Sequence, residues 1–150
     1  MSAFVFRLAP VLRLREATRD ERRGQLAEAL RLEAELSARI AHLESDLNLA
    51  VQAAHDAAAP GTVNVDRLID AGRYELTLRG ERQQLQLQMQ ALTEEIERRR
   101  AVLAAADRDV RVLEKLREQQ LERHEADERK REQRVLDEVG LRNFVVEQAR

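Results

Sequence analysis

The 150-residue sequence contains no cysteine and no tryptophan, and it has only five glycines and two prolines. Without cysteine, disulfides and thiolate metal sites are excluded, and a reducing cytosol is the default compartment. Three phenylalanines and one tyrosine are the only aromatic residues, which is few for a globular core. No stretch approaches the roughly 18 consecutive apolar residues that a membrane-spanning helix requires, so we expect no direct membrane insertion.

The residues that are abundant are those that form helices. Charged residues make up 36% of the chain, hydrophobic residues 43%, and alanine, leucine, glutamate, arginine and glutamine dominate. Such a composition is typical of long helices and coiled coils. The formal net charge of −2 argues against nucleic acid as a partner.

Apolar residues recur at spacings of three and four in two parts of the chain, which is the pattern of a coiled-coil seam, the row of side chains that faces a partner helix. In the first part, Glu33 interrupts the row, and in the second part Arg99 does. The first row comprises Leu26, Ala29, Leu36, Ile40, Leu43, Leu47, Ala50 and Ala54. The second row comprises Leu85, Met89, Leu92, Ile96, Leu103, Ala106, Val110 and Leu113.

Local signals predict where these helices begin and end. Pro10 suits the first turn of a helix, and Pro60-Gly61 is the only Pro-Gly pair and marks a turn. Asn64 is a candidate N-cap for the second helix, and Gly140 is a candidate C-terminal stop. We therefore predict one domain, residues 1–150, with a helix over about 10–58, a turn over about 59–64, a helix over about 65–139 and a short tail over 140–150.

Two helices joined by a short turn fold back on each other most simply as an antiparallel pair. A turn centred near Gly61 places residue n opposite residue 122 − n. Beyond Leu113 the second helix loses its seam, because 14 of the 21 residues in 114–134 are charged. The fold class expected is all-α, a long antiparallel two-stranded coiled-coil hairpin with a C-terminal helical overhang, by which we mean the part of the second helix that has run past the first.

No constellation of residues points to catalysis. The three histidines, His42, His55 and His124, have no further histidine or carboxylate at a spacing that indicates a metal site, and a two-stranded rod lacks the concave pocket that small ligands need. We expect no enzyme activity, no cofactor and no metal.

Three features have two interpretations each. Arg99 at a seam position either fixes the helix register or packs its stem while its head reaches water, and we favour the second. Tyr74 either lies across the seam or anchors a partner. The apolar start of the chain, Phe4 to Leu12, either closes the open end of the hairpin, which we favour, or faces a partner.

Two terminal motifs resemble a known family. Residues 4–16 read F-V-F-R-L-A-P-V-L-R-L-R-E, and residues 112–118 read V-L-E-K-L-R-E. Both are similar to motifs of FliJ, a small component of the bacterial flagellar type III export apparatus, and the segment from Val65 to Tyr74 fits the middle of that family. His124 departs from the family, which often has an aromatic residue there.

The resemblance implies a rod similar to the central stalk of rotary ATPases. Proteins of this kind are understood to engage a hexameric export ATPase and the cytoplasmic domain of the export gate, and to assist the recycling of export chaperones. The implied location is the cytoplasm, in peripheral association with the inner face of the cell membrane through the export apparatus.

Two candidate binding surfaces follow. The register and the terminal motifs select the first, and a single aromatic residue among apolar neighbours, beside a stretch that contains Gly72 and Gly80, selects the second. The ATPase-binding candidates are Phe6, Leu8, Leu12, Arg15, Leu113, Lys115, Leu116, Leu121 and Arg123. The gate- and chaperone-binding candidates are Tyr74, Leu76 and Leu78. The alternatives left open are a stalk of a non-flagellar, virulence-type secretion system and a parallel dimeric coiled-coil scaffold, against which Pro60-Gly61 argues.

Overall fold

A computed structural model describes residues 3–61 and 63–148, with side chains through residue 142, and the regular structure in these ranges is entirely helical. Helix α1 spans Ala9–Ala57 and helix α2 spans Val65–Gln148. The helices form an all-α antiparallel hairpin, as predicted, and a parallel dimeric scaffold is therefore wrong for this chain. The chain divides into two compact units. We call Met1–Asp20 with Ala105–Arg150 the terminal unit, and Glu21–Ala104 the turn unit.

The turn between the helices follows the local sequence signals. Gly61 has a φ of 132°, a conformation that side chains with a Cβ rarely adopt. The backbone N–H of Arg67 donates a hydrogen bond of 3.1 Å to Oδ1 of Asn64, so Asn64 caps α2 as expected. At the other end, α2 continues through Gly140 to Gln148, past the stop predicted at residue 139. Gly140 does not adopt a positive φ, so it acts as a weak interior helix residue rather than as a cap.

The core of the turn unit combines predicted seam residues with Leu78, which was predicted instead as a gate- and chaperone-binding residue. Leu43, Leu47 and Ala50 of α1 pack with Leu78 of α2, and Leu85 lies against this cluster. Farther from the turn, Ala29 and Ile96 are almost fully buried. Each seam leucine or isoleucine contributes about 1.5–3 kcal/mol when fully buried, and most of these side chains are only partly covered.

Arg99 ties the two helices of the turn unit together. Its Nη1 donates a hydrogen bond of 2.6 Å to the backbone carbonyl of Gln25, and its Nε donates one of 2.9 Å to Glu95. The side chain is 33% exposed, so the guanidinium reaches the neighbouring helix instead of only extending into water. The register-fixing interpretation, which we did not favour, thus has a direct structural basis.

The register differs by two residues from the one predicted. The numbers of the paired residues add up to 124, both for Gln25 with Arg99 in the turn unit and for Arg15 with Asp109 in the terminal unit, where 122 was expected. For Arg15 and Asp109, which pair through their side chains, the reason is that each helical side chain leans toward the N-terminus of its own helix, so it covers the surface about one position earlier. In an antiparallel pair the two displacements add to about two residues.

We expect Glu95 to make the stability of the turn unit depend on pH. Hydrogen bonds from Arg99 and then from Arg98 lower the pKa of its carboxyl below the usual value. A carboxyl whose pKa is lowered by folding stabilises the fold above its unfolded pKa, and this contribution disappears as the pH falls through its folded pKa. We expect Glu95→Gln to be less stable than the wild type near pH 7 and to lose less stability on acidification to about pH 3.

Urea denaturation at a series of pH values measures this difference. Glu94→Gln, one residue away, is the matched control, because it removes one acidic charge and leaves the hydrogen bonds of Glu95 with Arg98 and Arg99 in place. Identical pH dependence for Glu95→Gln and the wild type would show that the carboxyl of Glu95 makes no such contribution.

Candidate functional site

The start of the chain lies along α2 in the terminal unit. Residues 3–6 have no regular secondary structure and residues 7–8 form a turn before α1. A non-helical residue can span up to about 3.3 Å, against 1.5 Å in a helix, so a short segment can reach far along α2. Phe4 meets His124 with ring centroids 5.7 Å apart and planes tilted by 44°. Helix α2 is thus covered as far as about residue 128, well beyond Leu113.

The two family-like motifs meet in one apolar cluster. Phe6, Leu12 and Val110 are buried there, and Phe4, Ala9, Leu113 and Leu116 pack against them. Val110 is the most completely buried, with 1% of its surface exposed. The apolar start of the chain therefore closes the open end of the hairpin, which is the interpretation that we favoured.

The nine candidate ATPase-binding residues divide into two groups. Phe6 and Leu12 are buried, and Leu113 and Leu116 are half-buried against them, so these four build the frame of the terminal unit. The remaining five reach the surface: Leu8, Arg15, Lys115, Leu121 and Arg123. Arg15 forms an exposed ion pair of 3.3 Å with Asp109 of α2.

A shallow groove that sequence reasoning missed lies beside this surface. Its volume is about 400 Å³, and its apolar part is formed by Phe4, Leu121 and His124. The carboxylates of Glu125, Glu128 and Glu132 and the guanidinium of Arg129 surround it. The groove forms where Phe4, in the non-helical segment before α1, lies against α2, and the periodic pattern of the helices carried no signal for that contact.

The overhang begins at residue 129, not near residue 114 as the loss of the seam predicted, because Phe4 and Phe6 cover the intervening part of α2. From Arg129 to Arg142 every side chain is exposed. Val135, Leu136 and Val139 are apolar and have 48–70% of their surface exposed. The overhang, residues 129–148, is therefore a single helix of about 30 Å in which no described side chain is buried.

The three gate- and chaperone-binding candidates do not lie on one surface. Leu78 is 5% exposed and belongs to the core of the turn unit. Tyr74 and Leu76 are 53% and 69% exposed, but residues two apart on a helix face in different directions. Tyr74 instead shares a groove of about 240 Å³ with Leu49 of α1, whose side chain is 67% exposed and which sequence reasoning missed.

The histidines and carboxylates give no metal centre among the described residues, in which no three potential ligands come together. His42 lies 3.1 Å from Asp46 and His55 lies 4.0 Å from Asp56, both on the exposed surface of α1. Within residues 3–61 and 63–148, neither helix contains a segment apolar enough to cross a membrane.

Comparison with known proteins gives one match. The family model described as "Flagellar FliJ protein" matches residues 4–149, which is nearly the whole chain and includes both terminal motifs. No curated protein and no solved structure matches the chain. The extent of the family match identifies the chain as a member of the FliJ family, and with it as a component of the flagellar protein export apparatus.

Proposed function

We propose that this FliJ-family chain acts as a stalk-like rod whose terminal unit enters the central hole of the hexameric export ATPase. The observation that carries the proposal is the overhang, a single helix that continues from a closed, packed end. A single helix with its side chains is about 10–12 Å across, so it can enter a narrower hole than a helix pair can. The overhang would therefore enter first, and the packed end would follow.

The contacts would be made by the exposed members of the candidate set. Leu8 and Leu121 are 36% and 37% exposed and offer apolar contact, while Arg15, Lys115 and Arg123 offer charge. Exposed ion pairs are each worth about 0–1 kcal/mol, which suits a reversible contact with a ring whose subunits change shape. Phe6, Leu12, Leu113 and Leu116 would act by holding these side chains in place.

The proposal is tested by ATP hydrolysis of the isolated ring, measured with the full chain and with a chain that ends at residue 128. Stimulation by the full chain alone supports the proposal. Equal stimulation by both chains contradicts the role given to the overhang.

The second contact that we propose is with the cytoplasmic domain of the export gate, through the groove of Tyr74 and Leu49. Exposed aromatic side chains are frequent anchors of protein–protein contacts, and alanines at positions 50, 53 and 71 leave the groove floor open. The same groove is our candidate for export chaperones during recycling. On this proposal the chain works in the cytoplasm, at the inner face of the membrane.

Tyr74→Ala is expected to weaken binding to the isolated gate domain by about tenfold or more, because an interface anchor typically contributes about 2 kcal/mol. Helicity by circular dichroism should stay at the wild-type level, since the side chain is 53% exposed. Leu76→Ala is the matched control, because Leu76 is exposed on a different side of α2. Equal binding by the Tyr74→Ala variant and the wild type in calorimetric titration would rule the groove out as the gate contact.

A further inference from the structure

The coiled-coil pattern of α2 resumes in the overhang after its interruption. Positions 128, 132, 135, 139 and 142 follow one another at steps of four, three, four and three. At 100° per residue they lie within a sector of about 80° on one side of the helix. They are occupied by Glu128, Glu132, Val135, Val139 and Arg142. The two valines form an apolar centre, with acidic residues on its N-terminal side and a basic residue on its C-terminal side. We call these five positions the overhang face, of which Glu128 is the residue just before the overhang and the other four lie in it.

Helix α1 and the N-terminal segment do not cover the apolar part of this face. Phe4 contacts α2 at His124 and shares a groove with Glu128 and Glu132, the first two positions of the face, but Val135 and Val139 do not line that groove. Val135 and Val139 are 58% and 48% exposed. Two exposed valines four residues apart, with charged residues at the flanking coiled-coil positions, form a short surface suited to binding another helix.

We propose that the overhang face pairs with the same face of a second copy of this chain, antiparallel, about a two-fold axis near Asp137. In this arrangement residue n of one copy lies opposite residue 274 − n of the other. Val135 then packs against Val139 of the second copy, and Val139 against its Val135. Glu132 meets Arg142 of the second copy, and the symmetry repeats this ion pair on the other side of the axis.

The charges on the overhang face select both the direction and the partner. Parallel pairing of two copies in register places Glu132 next to Glu132 and Arg142 next to Arg142, which opposes like charges in two layers. Antiparallel pairing opposes unlike charges in the same layers and keeps valine against valine. The charges of the overhang face, read from Glu132 to Arg142, are therefore complementary to those of the same face on a second copy that runs in the opposite direction.

The contact is short, so the dimer forms weakly and reversibly. Standard protein–protein interfaces bury about 1,600 Å², and two helices that meet over three to four turns bury less than this. Pairing also occupies the helix that, if the proposed function is correct, enters the ATPase ring. A chain bound to a second copy is then unable to insert its overhang into the ring. Dilution, or competition by the ring for the overhang, dissociates the dimer.

Sedimentation equilibrium of the full chain over a wide concentration range tests the pairing without any ATPase, so its outcome is independent of the proposed function. We expect a reversible monomer–dimer equilibrium. Glu132→Arg and Arg142→Glu should each weaken the dimer by about tenfold or more, because each places like charges in two symmetric layers. The double variant Glu132→Arg/Arg142→Glu restores both ion pairs in reversed orientation and should return the dimer to near wild-type strength.

Two variants with the same charge changes serve as controls, because their residues lie on the opposite side of the overhang. Asp137→Arg matches Glu132→Arg, and Arg134→Glu matches Arg142→Glu; both should dimerise like the wild type. A chain that stays monomeric at every concentration, or a double variant as weak as the single variants, overturns the proposal. In either case the partner of the overhang face would be a different protein and not a second copy of this chain.

Discussion

Replacing Phe6 by alanine is expected to lower the free energy of unfolding of the terminal unit by about 3 kcal/mol. Phe6 is 7% exposed and packs with Leu12 and Val110, so its removal leaves a cavity between the N-terminal segment and α2. Without this anchor the segment loses its main apolar contact and the Phe4–His124 contact with it. Urea denaturation measures the loss, and hydrogen exchange of the amides near Val110 locates it.

Val5→Ala is the matched control, because Val5 is the adjacent residue and is 76% exposed. Its expected effect is within about 0.5 kcal/mol, as for most exposed substitutions. If the two variants lose the same stability, Phe6 does not anchor the segment.

Removing residues 129–150 is expected to abolish stimulation of the export ATPase while leaving the hairpin folded. The deletion starts after Glu128, so the apolar cluster and the contact of Phe4 with His124 both remain. In the overhang, no described side chain is buried, so the thermal unfolding midpoint should change little. The truncated chain lacks the helix that we propose enters the ring first. Without this helix the chain would no longer engage the ring and would not stimulate ATP hydrolysis.

Steady-state ATP hydrolysis by the ring, with the truncated and the full chain at equal concentration, measures the effect. The matched control is Arg134→Glu, a charge change on the far side of the overhang, which should retain most of the stimulation. Loss of both stimulation and cooperative melting would mean that the overhang contributes to the fold, contrary to the packing described here.

The hairpin could be predicted from sequence because each of its signals is local. Pro60-Gly61 made the turn, Asn64 capped α2, and the apolar rows of both helices became the cores around Leu47 and Val110. None of these signals requires knowledge of what lies across the helix pair. The terminal motifs were equally informative, because the family match covers both of them.

What the sequence did not show depends on side-chain direction and on the non-helical segment before α1. For Arg15 and Asp109, the two-residue difference in register comes from the lean of the side chains, which residue numbers alone do not reveal. Tyr74, Leu76 and Leu78 are close in sequence, but Leu76, two residues from each of the others, cannot share their helix face. The start of the overhang was placed too early because the reach of residues 3–8 along α2 has no periodic signature.

The interior position of Gly140 has an energetic explanation. A glycine inside a helix costs about 1 kcal/mol relative to alanine, which weakens the helix without ending it. A glycine stop requires a left-handed conformation and a change of chain direction, and α2 continues on the same course to Gln148. Composition alone does not distinguish these two uses of glycine.

Site-specific cross-linking tests most directly the claim that the terminal unit enters the ring. A photoreactive residue is placed at Val135 in one variant and at Val63, an exposed residue of the turn, in another, and each variant is irradiated with the assembled hexamer. We expect cross-links from position 135 to ATPase segments that line the central hole, and none from position 63. Cross-links to the hole from position 63, with none from position 135, would contradict the proposal.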